Sequence, residues 1–512
     1  MTRAQLHSVS LTTLLLLAAC PPGPATTDSG SATDSESGSS SSSGGGEASL
    51  TENSTPATPG TSETETGPTG TMGDSESNSG TTTETTGPDP TTTGPDPVCN
   101  DAKPCPDDAT PFCVDNECVS CDKTDSPSDA CATQDAKTPV CAGGACVECS
   151  ADDKALCEGN KPVCGADNTC TACTVHSDCP DTACNLESGA CFAPEFVIYV
   201  DRTADCATGD GTMALPFCKI GMAFQKMIDS GDVASGWTVK IKASNYVEDP
   251  LVVPDAALVV LSGWDGVPKI RAQDDSDVTL SIANEATVYI DHLAINSNDN
   301  DNGIECTNAR VWIDESRLAG NKNQGYQSTD CDTTIRRTVI YDNDGGGLAS
   351  YGPGTTLLIN SYVSGNGTQN FGDYAGVRSA QGNEMHILYS TIANNLSETG
   401  PRSLHCTADA GVAEIRNSVL IAFAGMSSID CPMGVFRNSA LDEEPLDGMD
   451  NIAVTVMDIM TFFNPQMNGI YTAKPDTALA TLGKWVDGDP LIDFDGTARV
   501  TDAPDFAGAD KP

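Results

Sequence analysis

Between residues 290 and 441 one spacing recurs: an apolar residue, a second inward position three later, an apolar residue two beyond that, and usually Asn three further on. Ile290, Leu293, Ile295 and Asn298 fit it, as do Ile313, Ser316, Leu318 and Asn321. Ile335, Thr338, Ile340 and Asn343 follow, then Leu358, Ser361, Val363 and Asn366, then Ile387, Ser390, Ile392 and Asn395. Ile415, Ser418 and Leu420 continue without the Asn, and Phe436, Ser439 and Leu441 end the series. Successive copies are offset by 23, 22, 23, 29, 28 and 21 residues. One turn of a coiled parallel sheet takes about that many residues, so each copy predicts one rung stacked on the last at roughly 4.8 Å. Ser and Thr then lie inside, and Asn at the corner predicts a ladder in which each amide bonds to the next. The competing reading is a meandering antiparallel sheet with this spacing by chance.

Upstream, Phe196-Val197-Ile198-Tyr199-Val200-Asp201 reads as a strand, followed by a Gly- and Pro-rich turn over residues 209–217. Ile220, Ala223, Phe224, Met227 and Ile228 fall at helical spacing and predict a short amphipathic helix. Trp237 to Ile241 reads as the next strand, ending at Asn245-Tyr246-Val247-Glu248. This order resembles the opening of the right-handed parallel β-helix proteins, the pectin-lyase-like superfamily, in which the helix plugs the open end of the coil. Downstream, Asp489-Pro490-Leu491-Ile492-Asp493, Asp495-Gly496-Thr497-Ala498-Arg499 and the run from Pro504 to Asp510 resemble the closing segment of bacterial members. The resemblance covers residues 193–512 and implies an all-β fold, a right-handed parallel β-helix. It does not choose a function, because such coils include polysaccharide lyases and hydrolases, adhesins and autotransporter passengers.

Cysteine usage defines the region before it. Of 23 cysteines, sixteen lie between Cys99 and Cys191 in four quartets: Cys99, Cys105, Cys113, Cys118; Cys121, Cys131, Cys141, Cys146; Cys149, Cys157, Cys164, Cys170; and Cys173, Cys179, Cys184, Cys191. The phrases Thr110-Pro111-Phe112-Cys113, Thr138-Pro139-Val140-Cys141 and Lys161-Pro162-Val163-Cys164 recur with them, giving a tandem array over residues 98–192. Repeated Cys-x-x-Cys spacing is also that of zinc sites. A chain with an export leader meets an oxidising compartment instead, and units of about 25 residues with little apolar content need covalent staples. Two disulfides per quartet are therefore expected, with three possible connectivities in each. The array resembles the Cys-rich repeats of myxobacterial lipoproteins, which implies no activity. Of the six later cysteines, Cys306 and Cys331, like Cys406 and Cys431, are 25 residues apart, about one rung. Cys306–Cys331 and Cys406–Cys431 are expected to bridge neighbouring rungs, and Cys206–Cys218 to close the N-terminal turn.

The N-terminus reads as an address over residues 1–19: Arg3, an apolar run from Leu11 to Leu17, then small Ala18 and Ala19. Leu17-Ala18-Ala19-Cys20 resembles the lipobox of bacterial lipoproteins, which implies lipidation of Cys20 and attachment to a membrane through it. Pro21, in place of Asp, points to the outer membrane. Residues 20–97 are Ser, Thr, Gly, Pro and acids, with no Lys or Arg from Pro21 to Pro97. Such a segment cannot offset its chain entropy by burial, so a disordered tether is expected. The whole chain has 73 acidic against 26 basic residues, a net charge of −47. That excludes a general nucleic-acid binder, which needs a basic footprint.

Chemistry is harder to place. Asp299, Asp301, Asp342 and Asp344 follow the Asn corners, with Lys322 between them, and stacked loop carboxylates suit a hard cation such as calcium. The plainer reading is that Asn, Asp and Gly make the turns. Arg378, His386, Arg402 and His405 are the basic residues of the later rungs, with His386 expected to point outward. The longer loop 365–375, with Asn366, Asn370, Phe371 and Tyr374, either forms one wall of a sugar groove, its aromatics stacking on sugar faces, or covers a rung edge. Asp493-Phe494-Asp495-Gly496 is too short for an EF-hand loop and reads as a turn. The HEXXH, GxSxG and P-loop patterns are absent, so no catalytic residue and no cofactor is assigned. The expected role is surface binding or adhesion to glycan or protein. A polysaccharide lyase or hydrolase, or a spacer without a ligand, are the alternatives.

Overall fold

The computed structural model describes residues 99, 103–106, 109–273, 278–296, 301–368, 372–422, 427–442, 450–454, 459–464 and 468–512. The leader, Cys20 and the tether lie outside them, as do Asn298 and Asp299.

Three long parallel sheets, of ten, ten and eight strands, take every third strand of the chain except at the first and last rungs, as a coil requires. The first face runs from Val197–Val200 and Trp237–Lys242 to Gly434–Arg437. The second runs from Asn245–Glu248 to Ile452–Ala453, and the third from Leu251–Val252 to Ile429–Asp430. The repeated spacing becomes two interior columns. On the first face Leu261, Ile290, Ile313, Ile335, Leu358, Ile387, Ile415 and Phe436 are register partners in turn. On the second, Ile295, Leu318, Ile340, Val363, Ile392, Leu420 and Leu441 do the same. All are buried in one continuous apolar core. The fold is a right-handed parallel β-helix, with the hand that twisted strands impose on parallel crossovers.

Ser and Thr fill the corner between first and second faces. Each follows a residue in the left-handed conformation, among them Glu315, Arg337, Asn360, Tyr389 and Asn417. Such a turn leaves the next N–H pointing along the coil axis, and a hydroxyl on the following rung accepts it. Ser316 N–H donates to Thr338 Oγ1 (3.3 Å), Thr338 to Ser361 Oγ (3.2 Å), Ser361 to Ser390 Oγ (3.2 Å), Ser390 to Ser418 Oγ (3.1 Å) and Ser418 to Ser439 Oγ (3.1 Å). The Asn corner forms a second ladder: the Nδ2 groups of Asn321, Asn343 and Asn366 donate to the next Oδ1 at 2.6, 2.8 and 3.0 Å.

The helix Ile220–Ser230 plugs the start of the coil with Ile220, Ala223, Phe224 and Met227. Ile228 instead is exposed. At 100° per residue it falls about a quarter turn from the centre of the buried stripe.

Each cysteine quartet folds as a small hairpin, the first over Phe112–Val114 and Glu117–Val119, the last over Cys184–Asn185 and Ala190–Cys191. Its third and fourth cysteines face each other across the strands, as Cys113 does Cys118. Neither bonds to the other; the bridges cross first to third and second to fourth. They are Cys99–Cys113, Cys105–Cys118, Cys121–Cys141, Cys131–Cys146, Cys149–Cys164, Cys157–Cys170, Cys173–Cys184 and Cys179–Cys191. Cys206–Cys218 ties the loop before the helix. Cys406–Cys431 joins neighbouring rungs whose offset there is 25 residues, with Cα atoms 4.4 Å apart. Cys306–Cys331 has a different geometry. Cys306 is the register partner of Ser328, so Cys331 lies past the strand at the next corner, and the Cα separation widens to 6.3 Å.

Candidate binding face

Two of the coil's three faces are partly covered by other segments of the chain. The outward column Val260, Tyr289, Trp312 on the first face is apolar. The fourth cysteine module packs on it through Ala183, Leu186 and Phe192. Tyr289 stacks on Trp312 at 4.8 Å, meets His176 edge-on at 5.7 Å and donates its hydroxyl to Asn185 Oδ1 at 3.2 Å. Arg310 pairs with Glu187 at 2.8 Å beside them. The C-terminal segment covers the second face: Val339, Tyr362, Ala393, Val419 and Ala440 form one apolar cluster with Val454, Phe463, Tyr471 and Phe506. Tyr362 donates to the Tyr471 carbonyl (3.2 Å) and Ser364 to that of Gly469 (2.6 Å).

The third face has a polar outer side. Ser281, Glu305, Gln327, Ala349, Arg378, His405 and Asp430 stand in register along it. Among the described residues no apolar cluster packs across this column. Arg378 is its centre. Asp373 holds the guanidinium at 2.8 Å, and Tyr351 and Tyr374 lie 5.6 and 5.5 Å from it. His405 is the register neighbour of Arg378, and its Nδ1 has no hydrogen-bond partner among the described residues. Burial, reinforced by the Arg378 charge, pulls the His405 imidazole below its ordinary pKa, so at neutral pH it is an uncharged ring beside a fixed cation.

The other residues singled out in the sequence disperse. His386 does face outward, but on the first face, between Glu384 (3.5 Å) and Glu414 (3.7 Å). Arg402 is buried, its Nη2 donating to the Ser397 carbonyl. Tyr374 is buried under Arg378 rather than offered to a sugar ring, and Asn366 belongs to the interior ladder. Asn370 and Phe371 lie outside the described residues. At the acidic corner Asp301 accepts from Asn323 Nδ2 at 2.7 Å, Asp342 is an exposed left-handed turn residue, and Lys322 is exposed. Asp301, Asp342 and Asp344 do not converge on a common point among the described residues.

Sequence reasoning missed a charged seam where the fourth module meets the first face. A cavity of about 400 Å³ there is lined by His176, Lys240, Asp291, His292, Glu315 and Arg337, with others. His292 bridges Asp291 (2.9 Å) and Glu315 (2.5 Å), which push its pKa up to about 10. Arg337 pairs with Asp314 (2.9 Å) and Glu315 (2.7 Å), and Arg336 with Asp314 (2.8 Å). His176 from the module is buried, and desolvation holds its pKa down. The signal was present in Thr287–Asp291 and Arg310–Asp314, where aromatics occupy outward strand positions that solvent-facing strands give to polar residues.

The family whose model matches is described as a family of unknown function (DUF8331), and it matches residues 84–197, the stretch that holds the four cysteine quartets. No curated protein matches the chain. Among solved structures, that of pectate lyase Pel9A aligns over 62% of this chain and 96% of its own, at 11% identity and a TM-score of 0.36. The strand pairings, rather than that likeness, establish the parallel β-helix. No helix among the described residues is long and apolar enough to cross a membrane.

Proposed function

We propose that this chain is a lipoprotein of the bacterial cell envelope, held in the outer membrane through lipidated Cys20, which displays its β-helix as a binding surface for a polysaccharide or a surface protein. The observation that carries the reading is the third face: a registered column, polar except at Ala349 and centred on Arg378 and His405, across which no apolar cluster of the described residues packs. The eleven disulfides among the described residues support an oxidising location. The tether then spaces the folded part from the lipid by roughly 50 Å if it behaves as a random coil. Arg378, held by Asp373 and flanked by two tyrosines, is arranged as a fixed cation for recognition rather than as a free base.

The test is incubation of the full chain with a panel of polysaccharides, with and without calcium. Retention without turnover, weakened in Arg378→Ala and His405→Ala, supports the reading. New reducing ends or the absorbance of unsaturated sugar would replace it with a lyase or hydrolase. The anchor is tested separately by Cys20→Ala, which is expected to move the protein from the membrane fraction to the soluble one.

A further inference from the structure

The last twenty residues gather three carboxylates that the binding face does not use. Asp493 opens a tight loop: its N–H donates to the Thr497 carbonyl (2.9 Å), and its Oδ1 accepts the Thr497 N–H (2.8 Å). Asp495 accepts the Thr497 hydroxyl at 2.7 Å, and Gly496, in the left-handed region at φ 90°, closes the turn. A loop this short supplies two acids. The third, Asp510, comes from the far end of the segment, because the Phe494 N–H donates to the Ala509 carbonyl at 2.9 Å and draws the two stretches together. One oxygen from each carboxylate lies within 4.8 Å of the other two.

Asp493 is fully buried and Asp510 is 8% exposed. Asp510 Oδ1 is buried with no hydrogen-bond partner among the described residues. A buried carboxylate oxygen without a donor is costly unless something cationic completes it. The nearby Arg499 is engaged elsewhere: its Nη1 pairs with Asp505 at 3.5 Å, its Nη2 donates to Asn360 Oδ1 at 2.7 Å, and its guanidinium lies 3.9 Å over Tyr389. The Lys511 ammonium contacts the Ala498 carbonyl.

We propose that Asp493, Asp495 and Asp510 bind one hard divalent cation of the calcium class. Calcium–oxygen bonds of about 2.4 Å put no two ligands of one ion more than roughly 4.8 Å apart, and the three oxygens lie within that limit. The ion would act as a clasp. Ala509 N–H donates to Thr391 Oγ1 (3.1 Å), Gly508 N–H to the Asn417 carbonyl (2.8 Å), and Phe494 packs on Tyr362 at 4.9 Å, so the site ties the chain's last residues to the second face.

The full chain, stripped with a chelator, is titrated with calcium by calorimetry beside Asp495→Asn and Asp510→Asn. Asp495 is exposed, so its replacement keeps the fold, which circular dichroism checks. The expected result is a site in the wild type whose affinity falls at least tenfold in both variants, with calcium slowing hydrogen exchange over residues 493–511 in the wild type alone. If Asp510→Asn does not fold, Asp495→Asn decides. Absence of calcium binding in the wild type, or unchanged stoichiometry and affinity in Asp495→Asn, overturns the proposal.

Discussion

A rung of this coil is closed by single hydroxyls. Ser361 has no exposed surface; its Oγ accepts the Thr338 N–H at 3.2 Å and donates to the Ile359 carbonyl at 2.7 Å. Removing the hydroxyl leaves a buried N–H without an acceptor, at a cost of about 1–3 kcal/mol. Ser361→Ala is therefore expected to lower the denaturation midpoint by that equivalent without changing the denaturant slope, whereas substitution of the exposed Lys322 is not. Spacing made these Ser and Asn positions legible, because inward polar residues stand out in an apolar column. The left-handed residues before them were not: Glu315, Arg337 and Tyr389 have side chains that give no hint of a positive φ, which the coil imposes on them. His292 is another such residue, and it carries a pH dependence. Its pKa is raised by Asp291 and Glu315, with Arg337, Asp314 and His176 lining the same cavity. The raised value means that its stabilising contribution is complete below the unfolded value near 6.5 and is lost as pH rises from there through about 10. The stability gap between wild type and His292→Gln should shrink over that window. A gap that stays constant between pH 7 and 10 would show that the two ion pairs contribute nothing. Half-exposure of the ring keeps the effect modest.

At the scale of elements, strands of the first face obey two demands at once. Their inward residues follow the repeat, which is why the stacking of rungs could be read in advance. Their outward residues follow a partner that the repeat does not encode. Val260, Tyr289 and Trp312 form an apolar strip because Phe192 and Ala183 of the fourth cysteine module rest on it, so that module is part of the coil's wall as well as the end of an array. Phe192 is 6% exposed, and truncating such a ring costs about 3–5 kcal/mol where the site cannot collapse. In Phe192→Ala the expected change is local: faster hydrogen exchange and proteolysis over residues 173–192, with exchange in the interior columns unchanged. If the columns loosened as well, the module would be integral to folding of the coil rather than docked on its side. The disulfides divide in the same way. A separation of 25 residues served for both later pairs, yet only Cys406–Cys431 matches a rung; local rung length is 22 at Cys306, and no pattern in the sequence fixes that register.

For the whole molecule, the two folded parts draw their stability from different sources. In the third module the apolar cluster is made of Cys149, Cys157, Cys164 and Cys170 themselves, so the bridges and the core are the same atoms. The coil rests on stacked rungs, and its two bridges between rungs, Cys306–Cys331 and Cys406–Cys431, lie in or against a core that exists without them. The path of the segment over the second face was beyond sequence reading for a related reason: Tyr362 meets Tyr471 across 109 residues, and nothing in either stretch names the other. Mild reduction should therefore separate the parts. Opening a bridge that closes 13–15 residues removes about 3 kcal/mol, which is comparable to all that a unit of this size can hold. Under increasing reductant with an alkylating agent, cysteines from Cys99 to Cys170 should be labelled first. Those of the docked fourth module should follow, and Cys306, Cys331 and Cys406, which sit in the continuous core of the coil, should come last. The far-ultraviolet signal of the parallel sheets should persist until that final stage. Equal labelling rates along the chain, or loss of the sheet signal together with the first labels, would mean that the array and the coil unfold as one cooperative unit.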